Sequence, residues 1–173
     1  ANKCDNDGFS PIYTAAYSGH AECLKLLLDA GGDVNKCTNN GVSPISIAAQ
    51  NGYVECLKLL LDAGGDINKC DDNGASPIYI AAQKGHVNFL QLLLAAGGDV
   101  NKCNNDGASP IWIAVEKGHA DCLQLLLDAG HDVNKCHNDD FSPIYVAVEK
   151  GHAECLKLLL AAGGDANKCD YNS

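Results

Sequence analysis

Apolar and polar positions alternate in this chain with helical spacing, in short paired blocks. The stretch from Ser10 to Asp29, "SPIYTAAYSGHAECLKLLLD", is typical. Ser10 followed by Pro11 reads as an N-cap with proline in the first turn, where its missing N–H is not needed. A first helix is predicted from Pro11 to Tyr17, stopped by Gly19. A second is predicted from Ala21 to Asp29, with Glu22, Lys25 and Asp29 on a polar face and Cys23, Leu24, Leu27 and Leu28 turned inward. Gly31 and Gly32 end that helix, and the polar, turn-rich residues 33–41 read as an extended loop or finger.

The same block returns every 33 residues, with copies over 2–34, 35–67, 68–100, 101–133 and 134–166 and a stub over 167–173. Copies three and four share 22 of 33 residues, so the period is a true repeat and predicts a single domain over 1–173. "SPIYTAA…GH…LKLLLDAGGDVN" resembles the ankyrin repeat. The resemblance implies an all-α solenoid of stacked helix-turn-helix units with projecting β-turn fingers. Two positions depart from the family pattern. The His after Pro-Leu is here Tyr13, Ser46, Tyr79, Trp112 and Tyr145, and the Gly-Ala after the second helix is Gly-Gly in four copies and Gly130-His131 in the other.

In an array each unit touches only its neighbours, which leaves one long concave face. Function is therefore sought where the copies disagree. Those positions include Phe9, Tyr13 and Tyr17 in copy one, and Asn39, Asn40, Ser46 and Gln50 in copy two. They include Asp72, Tyr79, Gln83 and Lys84 in copy three, and Asp106, Trp112, Glu116 and Lys117 in copy four. Asp139, Phe141, Tyr145, Glu149 and Lys150 complete the set in copy five. The resemblance implies that these tip and first-helix positions meet a protein partner. Tyr79, Trp112 and Tyr145 are expected to form a row of aromatic anchors flanked by Lys84, Lys117 and Lys150.

Cysteine recurs in "NKC" at Cys4, Cys37, Cys70, Cys103, Cys136 and Cys169, and again at Cys23, Cys56, Cys122 and Cys155. Helical layers stack about 8–10 Å apart, too far for a disulfide between equivalent positions. The C-x-x-C pairs typical of zinc are missing, and Phe89 replaces one member of the second series, which suits a core position. The cysteines are expected to be small buried or half-buried hydrophobes in a reducing compartment, with no metal and no cofactor. A redox or metal buffer stands as an alternative, and so does a consensus or engineered scaffold without a natural partner.

His20, His86, His119 and His152 share one repeat position, and each Ser before Pro is committed as a cap, so no nucleophile and base can be paired and no enzyme is expected. His131 and His137 are unique and fall in finger loops. A calcium loop starting at Asp5 would need Glu where Ala16 stands, so the tips read as glycine turns. Asn35, Asn68, Asn101 and Asn134 each follow Asp and a β-branched residue, with Leu eight positions upstream. That pattern resembles the one asparaginyl hydroxylases modify in the ankyrin family; it also suits an Asn side chain that bonds the finger backbone.

Charge narrows the choice of partner. The net charge is -10, and all twelve basic residues are Lys, so there is neither the basic face nor the arginine fork of a nucleic-acid binder. No apolar run approaches the ~20 residues that span a bilayer, and no signal-peptide pattern opens the sequence. An intracellular, cytoplasmic setting is expected. Interior-type Leu24, Leu27, Leu158 and Leu159 in the end copies add an expectation of end-to-end self-association.

Overall fold

The computed structural model describes residues 3–135, 137–138 and 141–166. Ten α-helices and no strand occur among them. The first helices of the copies are α1 (Pro11–Ser18), α3 (Pro44–Asn51), α5 (Pro77–Lys84), α7 (Pro110–Lys117) and α9 (Pro143–Glu149). The second helices are α2 (Ala21–Asp29), α4 (Val54–Asp62), α6 (Val87–Ala95), α8 (Ala120–Asp128) and α10 (Ala153–Ala161).

Each first helix begins as its sequence requires. Ser10, Ser43, Ser76, Ser109 and Ser142 hold extended backbone, and their Oγ atoms accept from the N–H three residues on. The helix after Ser10 runs one residue past the expected Tyr17, to Ser18. Gly19, Gly52, Gly85 and Gly118 then end α1, α3, α5 and α7 at φ 71–75°. Glycine is needed there twice over. The left-handed backbone disfavours a side chain, and a Cβ would lie 2.7–2.9 Å from the ring of Tyr53, His86, His119 or His152 in the next copy.

First helices pack on first helices, second on second, and each pair on itself, so the fold is two layers of helices in register. Buried Ile12, Ile45, Ile78, Ile111 and Ile144 run through it at the repeat spacing, beside Leu24, Leu57, Leu90 and Leu123. Each such Leu or Ile contributes roughly 1.5–3 kcal/mol by leaving water. Ala16, Ala49 and Ala82 are fully buried in the first-helix layer, where their small size lets neighbouring helices approach closely.

Hydrogen bonds join successive fingers and first helices in three series. Along the tips, the N–H of Asn39, Asp72, Asn105 and Asn138 donates to the carbonyl of Asp7, Asn40, Asn73 and Asp106 at 2.9–3.4 Å. At the finger base, Asp66, Asp99 and Asp165 donate their N–H to Oδ1 of Asn35, Asn68 and Asn134 at 2.7–2.9 Å. Behind the first helices, Nε2 of His86, His119 and His152 meets the carbonyl of Gln50, Gln83 and Glu116 at 3.1–3.2 Å. Tyr53 has no such nitrogen, and Asn51 Nδ2 replaces the bond by donating to Tyr17 O at 3.0 Å.

Candidate protein-binding surface

The tips are shaped by their first residue. The Oδ1 of Asp5 accepts from the N–H of Asp7 and Phe9, and Asp71 and Asn104 repeat the pattern with Asn73 and Ala75 and with Asp106 and Ala108. Thr38 Oγ1 accepts from Val42 N. These side chains close turns around a positive-φ glycine. Among the described residues, no group of three or more His, Cys, Asp or Glu gathers to hold a metal ion.

Of the variable positions, the fingers expose Asn39, Asn40, Asp72 and Asp106, and the first helices expose Tyr17, Gln50, Lys84, Lys117, Glu149 and Lys150. Gln83 and Glu116 are half-buried. Lys117 and Lys150 lie 3.4 and 3.5 Å from the carboxylates of Glu116 and Glu149, pairs worth little at an exposed surface. Lys84 has no acid beside it in sequence and no ion pair among the described residues. Asp139 lies outside the described residues.

The aromatics expected to line up as anchors differ in exposure. Tyr13 and Tyr79 are each 7% exposed and Ser46 is fully buried, with its Oγ 2.9 Å from Ser43 Oγ. Asn104 Nδ2 of the next finger donates to Tyr79 Oη at 3.4 Å, and burial, with Glu116, Asp106 and Asp71 nearby, pushes the Tyr79 phenol up to about 12. Trp112 is half-buried: its Nε1–H donates to Phe141 O at 3.2 Å, and its ring lies 4.7 Å from that of His137. In the family's His position, then, Tyr79 and Trp112 bond to the following copy. Tyr145 remains exposed and stacks on half-buried Phe141 at 4.9 Å. Phe9 stacks on Tyr13 at the same distance, and with Tyr17 they line a cleft of about 280 Å³.

The Asn side chains at 35, 68 and 134 accept from the backbone at the start of the next finger, one of the two readings of their sequence pattern. Eight cysteines lie among the described residues. Cys4, Cys37, Cys70 and Cys103 are half-buried, and the thiols of Cys37, Cys70 and Cys103 point to the carbonyl two residues back at 3.4–3.6 Å. Cys56, Phe89, Cys122 and Cys155 are buried, as a core position requires. Cys23 is not: expected to point inward, it is exposed. Cys136 and Cys169 lie outside the described residues. Burial pushes the thiols of Cys37, Cys56, Cys70 and Cys155 up, and that of Cys122 up to about 11.

Two placements escaped the sequence. His131, expected in a loop without a partner, is buried, and its Nδ1 lies 3.0 Å from Asp132 O. The signal was present, since a side chain at a glycine position must displace packing or fill it. The Asn51 bond was also hidden. Its signal is the paired change of His to Tyr at 53 and the arrival of an amide two residues earlier.

A family model of ankyrin repeats, three copies long, matches residues 1–71, 47–136 and 78–172. With the paired helices and glycine-closed fingers above, this chain belongs to the ankyrin repeat family. No curated protein matches the chain. Ankyrin repeats are generally protein–protein interaction modules, and their fold is typically non-catalytic. Among the described residues, no helix is long and apolar enough to cross a membrane.

Proposed function

We propose that the chain is a non-catalytic module, one domain of five repeats and a stub, that binds a protein partner through its first-helix face and finger tips. One observation carries this reading. The shared Ser-Ile starts and core leucines, such as Ser76, Ile78 and Leu90, are buried in the stack, whereas much of the variation is exposed, at Phe9, Tyr17, Gln50, Asp72, Lys84, Asp106, Lys117, Tyr145, Glu149 and Lys150. Variation there alters what a partner meets without altering the fold. The hydroxyls of the serines before proline serve as caps and three of the repeat's four histidines meet a carbonyl through Nε2, which supports a role without catalysis. Raised thiols are poor nucleophiles at neutral pH, which speaks against the redox buffer and suits a reducing, intracellular setting.

The test is a paired capture from source lysate. One bait carries Tyr17→Ala, Lys84→Ala, Lys117→Ala and Lys150→Ala; the other carries Lys25→Ala, Glu55→Ala, Lys58→Ala and Lys157→Ala on the exposed backs of the second helices. The first should lose at least tenfold of any protein the unchanged chain retains, and the second should keep it. Equal retention or equal loss by both baits would refute the assignment of the face.

A further inference from the structure

Residue 131 is glycine in every other copy, at Gly32, Gly65, Gly98 and Gly164. At those glycines a Cβ would come within 2.5–2.8 Å of an isoleucine Cδ1 of the first helix and 2.8–3.1 Å of a leucine carbonyl oxygen of the second. The corner between second helix and finger has little room for a side chain, yet His131 fills it and is only 6% exposed. Two bonds register the intrusion. The N–H of residue 131 reaches Leu126 O at 3.3 Å, against 2.8–3.0 Å for the four glycines. The bond from the Asp N–H to the preceding Asn Oδ1, made by Asp66, Asp99 and Asp165, is missing between Asp132 and Asn101 among the described residues; instead Lys135 Nζ donates to Asn101 O at 3.4 Å.

The ring is held in one tautomer. Nδ1 must carry the proton to donate to Asp132 O, which leaves Nε2 as a bare lone pair, buried and without a partner. A second proton would place an N–H and a positive charge where no acceptor stands, a costly arrangement in a buried site. The charges acting on the ring are Asp132 and Lys135 of its own finger and Asp99 of the preceding one. Of the helices that pack on this corner, α7 presents Ile111 at the equivalent place and α8 presents Leu126; the nearest α8 carboxylate, Asp128, is exposed and accepts from Gln124.

We propose that His131 is a proton-operated weak point in the array: the neutral ring seals the corner between α8 and the following finger, and protonation on mild acidification expels it and opens that corner alone. The four glycine corners have nothing to titrate and stay closed. Burial, as the largest cause, holds the imidazole below its usual range. For a base depressed in the folded state, the unfolded chain takes up the proton first. Stability is therefore complete above about pH 6.5 and is lost as pH falls from there toward the folded value.

The single tryptophan, Trp112, reports on this junction, since it lies in the same copy and bonds across to Phe141 O. Urea unfolding followed by its fluorescence at about pH 7.5 and about pH 5.5 should give a midpoint that falls at least twice as far in the unchanged chain as in His131→Gly or His131→Gln. The other five histidines, including His137 against Trp112, are common to all three proteins, so their titration cancels. Equal falls in all three would overturn the proposal. So would failure of His131→Gly to fold at about pH 7.5, because glycine serves the other four corners.

Discussion

Tyr79 and Tyr145 hold the same place in the same helix of the repeat, two periods apart, yet one is 7% exposed and the other 43%. Asn104 of the next finger donates to the hydroxyl of Tyr79, whereas Tyr145, among the described residues, stacks on Phe141 of its own copy. Cys23 and Cys56 repeat the contrast on the second helix, with Cys23 exposed and Cys56 buried. Among the described residues, equivalent side chains are thus buried in one copy and exposed in another. In this fold a side chain's role is set by its position in the array as much as by its chemistry.

Substitutions should separate the two kinds of position. The largest loss is expected for Leu126→Ala, which empties a fully buried site between α8 and its neighbours; about 4 kcal/mol, read from urea unfolding, would fit. A smaller effect sharpens the comparison in the histidine series. His86→Ala removes the bond to Gln50 O and should cost about 1 kcal/mol, whereas His20→Ala, at an exposed equivalent without such a carbonyl, should cost close to nothing. Similar losses for both would mean that the ring acts within its own copy.

Thiol chemistry should draw the same line with no loss of fold. Cys23 should react with a water-soluble thiol reagent in the folded protein, and Cys122 only after unfolding. Because Cys122 is pushed up to about 11 and Tyr79 up to about 12 by burial first, their contributions are complete below the unfolded values, about 8.5 and about 10, and fade as pH rises through the folded ones. The alkaline fall in melting temperature should therefore shrink in Tyr79→Phe. Rapid labelling of Cys122 in the native state would break the contrast.

Much of the fold was legible because it depends on local rules that repeat. Ser-Pro starts, glycine stops and leucine spacing place the helices to within a residue, and Phe89 in a cysteine series marks a position that is indeed core. The candidate surface was only partly legible. Helical spacing places Tyr13 and Tyr17 on one side of α1, but it cannot say that the first is buried and the second left at 55% exposure. Coverage depends on how far the next finger projects, which is a property of stacking between copies. His131 was missed for a related reason, since a loop residue by sequence becomes a core residue where two copies meet.

The most direct measurement is urea unfolding of Tyr79→Ala and Tyr145→Ala side by side at neutral pH. A covered aromatic and an uncovered one in the same register should differ, with about 3 kcal/mol lost at Tyr79 and under about 1 kcal/mol at Tyr145. Equal losses would contradict the claim that position in the array decides which side chains build the stack and which are left to a partner.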